Sequence, residues 1–254
     1  GLAEYGQKLT DDGRYGVGIA LNSGSAQWAF TGFCLQNSTD GQNLMSEDGK
    51  SVYFNTPENV EALQFWLDLQ NEYKCMAEGI VQWTDLPTQF LAGEVAMIYH
   101  TTGNMANIHD NADFDFGTAF LPAHKRVGAP TGGGNFYISN GISEDRVQAA
   151  WKFIKFATST DRAAQWSLDT GYVATRQSCF DTDLIKDYYA EVPQASVAYE
   201  QLPYAKPELT TYNAAEIWRV LNDNIQAAVV GDMSAREALD AAQEQAEEVL
   251  SEYQ

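Results

Sequence analysis

Two hydrophobic periods alternate along this chain, and that alternation constrains the fold more than any other feature. In residues 51–73, SVYFNTPENVEALQFWLDLQNEY, the apolar residues Val60, Leu63, Trp66, Leu67 and Tyr73 recur at helical spacing. Thr56 fits the N-cap of that helix, and Pro57 fits its first position, where the amide has no partner anyway. Residues 90–104, FLAGEVAMIYHTTGN, read instead as a helix end, a break at Gly93, a buried strand from Val95 to Tyr99 and a small polar loop. Strands following helices in this way point to a mixed α/β fold.

The pattern continues on both sides. Leu2, Tyr5 and Leu9 share one helical face with no N-cap before them, so the chain opens in mid-element, as a part of something longer would. Asp11, Asp12 and Gly13 end that helix, and Tyr15–Ile19 reads as a strand. Gly16-Val17-Gly18 is not a dinucleotide fingerprint, because position 21 is Leu and a helix does not follow correctly. FDFGTAFLP, residues 114–122, reads as a short strand, and so does Phe136-Tyr137-Ile138 after the triplet Gly132–Gly134. Ser143 is placed to cap a helix carrying Val147, Ala150, Trp151, Ile154 and Phe156. A second helix holds Ala163, Trp166 and Leu168, and Gly171 closes it. A helix over about 213–230 stops at Gly231, and Ser234 with Glu237 forms a capping box for the last one.

Composition excludes several functions. The 254 residues are 44% hydrophobic, too apolar for a disordered acidic tail, yet no run approaches the roughly 20 residues of a membrane span. A net charge of -20 repels phosphate backbones, so nucleic acid is not expected as a partner. Cys34, Cys75 and Cys179 show no CxxC or zinc spacing, and their disulfide state is open. His100, His109 and His124 have no i,i+4 partner, and HExxH is absent, so no metal and no cofactor is expected.

The order of these segments resembles a family. GRYGVGIAL, YFNTPENVEALQFWLDL, FLAGEVAMIYHTTGNMANI, FDFGTAFLP, the glycine loop with FYIS, AAWKFIKFATSTDRAAQWSLDTGYVATR and IWRVLNDNIQAAVVGDMSAREALDAA together are similar to the extracytoplasmic solute-binding proteins of ABC importers. That group includes maltose-, oligosaccharide- and glycerol-3-phosphate-binding proteins. The resemblance implies an α/β, type II periplasmic-binding-protein-like fold, with ligand enclosed in a cleft between two lobes. It also implies that most of the N-terminal lobe is absent. Residues 1–115 and 167–254 would form the C-terminal lobe, and 116–166 a segment of the other.

Sugars offer C–H faces and hydroxyl edges, so a binder needs aromatic platforms and side chains that donate and accept hydrogen bonds. Trp66, Trp151 and Trp166 lie on apolar helical faces and are assigned to packing. Trp218 lies early in a late helix, where sugar-binding relatives place a stacking aromatic and glycerol-phosphate binders an arginine; Arg219 is one residue further on, which leaves phosphate or carboxylate recognition open. By the same resemblance Trp83, Trp28 and Tyr172 reach the ligand. Thr102 and Asn104 follow the Val95–Tyr99 strand, where open α/β sheets bind ligands. Gly133, Gly134 and Asn135 would line the cleft, since glycine lets a ligand approach the backbone. Glu216 and Asp85 are further acids able to bond sugar hydroxyls, and sequence does not choose between them.

The expected function is therefore a substrate-binding protein, not an enzyme. It would capture a sugar or small oligosaccharide by lobe closure and deliver it to the transmembrane subunits of an ABC permease. The alternative ligand is glycerol 3-phosphate or another polyol phosphate. Two other classes compete: a glycosidase, which needs two carboxylates flanking a bond, and a non-transport interaction protein on the same fold. The expected location is periplasmic or extracellular, lipid-anchored if the source is Gram-positive, and the expected state is a monomer.

Overall fold

The Thr56 side chain accepts from the Asn59 amide and Pro57 opens a 15-residue helix in the computed structural model, which describes residues 1–22 and 24–254. In chain order the elements are α1 (Leu2–Leu9), β1 (Gly18–Ile19), α2 (Ala26–Asn37), α3 (Pro57–Asn71), α4 (Leu86–Leu91), β2 (Ile98–Tyr99), α5 (Met105–Asn111), β3 (Ala129–Thr131), α6 (Glu144–Ala157), α7 (Thr160–Thr170), α8 (Asp183–Glu191), α9 (Ser196–Gln201), β4 (Ala205–Pro207), α10 (Ala214–Val229) and α11 (Ala235–Leu250). The chain divides into two compact units. One comprises Gly1–His100, Leu121–Gly132 and Gln201–Gln254, and the other Thr101–Phe120 and Gly133–Glu200. These divisions do not coincide with the lobe boundaries near 115 and 166 expected from sequence. Packing within this chain and lobe membership in a longer fold are separate properties, so the lobe assignment remains a proposal.

The first unit holds the main core. Trp66 of α3 is completely buried and meets Phe30 and Phe33 of α2 edge-on, with ring centroids 5.5 Å and 5.3 Å away. Such perpendicular pairs suit the ring quadrupole and add to the burial gain. Ile217, Leu221 and Ile225 of α10 and Ala238, Ala242 and Ala246 of α11 recur at four-residue spacing and are buried. The small alanine side chains let the two helices pack closely. The capping box of Ser234 and Glu237 forms as read from sequence. Two parallel strand pairs complete the unit: β1 with β2 (Gly18 beside Ile98) and β3 with β4 (Ala129 beside Ala205). A bridge from Tyr15 to Val95 extends the first pair.

The second unit holds two small clusters. One gathers Ala163, Ala164, Ala174, Cys179 and Ile185; the other gathers Met105, Val192 and Ala195. Gly171 ends α7 at φ +85°, a left-handed conformation suited to glycine. All three cysteines are free and buried. Among the described residues no helix is long and apolar enough to cross a membrane, and no group of three or more His, Cys, Asp or Glu could hold a metal ion.

Three expectations are corrected. Residues 114–122 form no strand; two of their backbone groups bond side chains instead, the Phe116 carbonyl accepting from Gln194 and the Leu121 amide donating to Gln201. Phe136–Ile138 is no strand either. The strand lies before the glycine triplet, as β3, and Phe136 and Tyr137 are exposed. Trp151 and Trp166 are not core: they are 48% and 61% exposed, because α6 and the Trp166 face of α7 meet too little of the described chain to be buried.

Of the three tryptophans assigned to packing, only Trp66 should matter to the stability of this chain. Trp66→Ala should cost about 3–5 kcal/mol in urea unfolding, and Trp166→Ala no more than about 0.5 kcal/mol. Equal losses would contradict this packing.

Candidate ligand-binding site

The carboxyl ends of the four strands in the first unit organise its aromatic side chains. Beyond β1, the Asn22 side-chain oxygen accepts from the Trp83 amide at 2.9 Å and from the Ser25 hydroxyl at 2.7 Å. Ser25 immediately precedes α2, so this one oxygen ties the start of α2 to the segment carrying Trp83. The α2 backbone is fixed from the other side, where buried Asn222 of α10 accepts from the Gln27 amide at 2.8 Å. Beyond β2, His100 Nε2 lies 3.0 Å from the Trp83 carbonyl, and the two rings lie 3.9 Å apart at 32°. Trp83 is thus held from the ends of both strands.

Trp28, on the first turn of α2, meets Trp83 at 5.7 Å and 88°, and Tyr99 at 5.9 Å and 72°. Tyr99 is buried, and its hydroxyl lies against Gly32, where a methyl group would collide with it. Beyond β3 comes Gly132. A side-chain carbon there would stand 3.2 Å from Trp28 Nε1 and 3.7 Å from Glu208 Oε2. Glu208 follows β4, and its amide donates to the Thr131 carbonyl at 3.2 Å. Ends of parallel strands are where open α/β sheets bind ligands.

The family model for bacterial extracellular solute-binding proteins matches residues 1–194. The chain belongs to this family. Over its whole length it is 25% identical to the sn-glycerol-3-phosphate-binding periplasmic protein UgpB of Escherichia coli O1:K1 / APEC, and 26% identical to that of Salmonella paratyphi A. It spans about 60% of the length of these curated relatives. Among solved structures it is similar to UgpB from Mycobacterium tuberculosis in complex with glycerophosphocholine, at TM-score 0.84 and 25% identity, covering 98% of this chain and 62% of that one. Maltose-bound MalE3 of Thermotoga maritima also gives TM-score 0.84, at 23% identity, covering 98% and 64%. The fold is therefore that of type II periplasmic binding proteins, of which this chain holds part. These relatives are solute-binding proteins rather than enzymes.

Of the residues singled out in the sequence of this solute-binding chain, the structure brings Trp28 and Trp83 together. Trp218 is half-buried in the same unit, with its indole N–H donating to the Leu209 carbonyl at 2.6 Å, next to Glu208. Arg219 is exposed and pairs along its own helix with Glu216 at 2.6 Å and Asp223 at 2.9 Å. Those carboxylates hold its guanidinium firmly in the charged form. In the second unit the Tyr172 ring covers Gly103, between Thr102 and Asn104. Gly133 has φ +142°, and a side-chain carbon at Gly133 or Gly134 would meet no atom within 4 Å; Asn135 is exposed.

Sequence reasoning missed Asn22, His100 and Glu208. Asn22 and His100 follow strands that the sequence did announce, and position after a strand was their only signal; β4, of three residues, is too short to announce Glu208. Glu216 spends its carboxylate on Arg219, and Asp85 sits exposed beside Thr84. Burial pushes the Glu208 carboxyl above the usual carboxylate range and holds His100 below the usual imidazole range.

The depressed His100 means that the folded protein disfavours the imidazolium. Its contribution to stability is complete above the unfolded pKa of about 6.5 and is lost as pH falls below it toward the lower folded value. The urea midpoint should therefore fall as pH drops below about 6.5, and His100→Gln should flatten that fall. An unchanged slope would show that His100 is not the group responsible.

Proposed function

We propose that this chain is the ligand-capturing part of a substrate-binding protein of an ABC importer, and that its ligand is a sugar or small oligosaccharide. The observation that carries the reading is the Trp28–Trp83 corner built at strand ends in a chain of the solute-binding family. Perpendicular indoles offer flat apolar platforms to the C–H faces of a sugar, and the surrounding polar groups can orient its hydroxyls. Trp218 supplies a further platform, its ring oriented by the bond to Leu209. Tyr172, Thr102, Asn104, Gly133, Gly134 and Asn135 are proposed as ligand contacts on the family resemblance alone.

Capture works by lobe closure. Ligand stabilises the closed state in proportion to its differential affinity for it, and the closed form docks on the permease. No covalent step is required. The protein works as a monomer outside the cytoplasmic membrane, in the periplasm or tethered by lipid at the cell surface.

A polyol phosphate is the second reading. It is favoured by the relatives named for glycerol 3-phosphate and by the glycerophosphocholine complex. Arg219 is its natural reader, and its exposed pairs with Glu216 and Asp223 are weak enough to exchange for a phosphate.

Tryptophan fluorescence separates the two readings, using the product of the whole gene titrated with mono- and disaccharides, ribitol and glycerol 3-phosphate. A saturable change with one sugar, weakened at least about tenfold by Trp218→Ala, is expected. A response to the phosphate alone, lost in Arg219→Ala, would transfer the function to the second reading.

A further inference from the structure

Glu208 and Trp28 each present a polar group to the same small region. Among the described residues the Glu208 carboxylate makes no hydrogen bond or ion pair, and the Trp28 indole N–H has no acceptor. Both side chains are half-buried, and both stand within 4 Å of one point, the position a side chain would take at Gly132. Water still reaches both half-buried groups, and partial burial raises the Glu208 carboxyl above the usual range. Gly132 keeps the space between them clear, because any larger residue would place its first carbon there.

The two groups differ in what they need. The indole can only donate, and the ionised carboxylate can only accept. A phosphate oxygen would satisfy the indole but stand against a like charge. An ammonium would satisfy the carboxylate and leave the indole unpaired. A hydroxyl donates and accepts at once, so it satisfies both from one atom or from two neighbouring ones.

We propose that Glu208 is a specificity-determining ligand contact which, together with the Trp28 N–H over Gly132, reads a sugar hydroxyl and excludes a phosphate from that position. The inference rests on the sugar reading above and deepens it: one carboxylate then decides between the two ligand classes.

The test uses the product of the whole gene, with maltose, glucose, trehalose, ribitol and glycerol 3-phosphate as probes in calorimetric titrations. Wild type is compared with Glu208→Gln, Glu208→Ala and Trp28→Phe, each checked by its melting curve. Glu208→Gln keeps the shape and one acceptor but loses the charge, so the affinity for the bound sugar should fall about fivefold. Glu208→Ala should cost about tenfold or more. Trp28→Phe keeps a ring and removes the donor; combined with Glu208→Gln, its loss should be less than additive, as for partners sharing one hydroxyl. Binding of glycerol 3-phosphate should strengthen in both Glu208 variants.

Sugar binding unchanged in folded Glu208→Gln and Glu208→Ala would overturn the inference and leave the sugar reading intact. Wild type binding only glycerol 3-phosphate would overturn the sugar reading and this inference with it. Silence of wild type across the panel would overturn both.

Discussion

Parallel pairing of very short strands is the constraint on which the first unit depends. β1 and β2 contribute two residues each, and β3 and β4 three. Ladders this short cannot hold themselves, so their alignment comes from the helices packed over them. Parallel strands also cannot be joined by a tight turn. Each pair is therefore closed by residues distant in sequence, 18 with 98 and 129 with 205. In each pair the partners end side by side, which gathers Asn22 with His100 and Gly132 with Glu208.

Fixing those ends fixes the aromatics. Trp83 lies on a segment without regular structure, yet its amide is bonded to Asn22 and its carbonyl faces His100. Trp28 rides on α2, whose start is held by Asn22 through Ser25 and by Asn222 through the Gln27 amide. A buried asparagine in mid-helix is costly unless its amide is used, and Asn222 uses it to set where α2 begins. The perpendicular indoles are thus held by hydrogen bonds to backbone at both sides. Such a corner is preorganised: its rings are ordered by the fold itself.

Much of this was legible in the sequence where the cause was local. The Thr56–Pro57 start, the Ser234–Glu237 box and the left-handed Gly171 depend on residues within one turn of each other, and all three form. Trp66 follows its helical stripe into the core. Trp151 and Trp166 follow equally good stripes and stay exposed, because a stripe states only that a helix has an apolar face, and burial needs another surface to meet it. FDFGTAFLP has strand composition and forms no strand for the same reason, since a strand exists only when a second backbone completes its ladder.

By itself the sequence determined α1, α3, α6, α7, α10 and α11, the caps at Thr56, Gly171 and Ser234, and the order of segments that marks the solute-binding family. Each of these is a property of neighbours or of segment order in the chain. Only the tertiary structure decided which of 35 acidic residues stands beside Trp28 over Gly132. Glu216, nearer in sequence to Trp218, is taken by Arg219 on the same helix, whereas Glu208 and Trp28, 180 positions apart in the chain, both border the space over Gly132. A side chain's partners within a helix follow from spacing, but its partners across strand ends follow from packing, which no local pattern records.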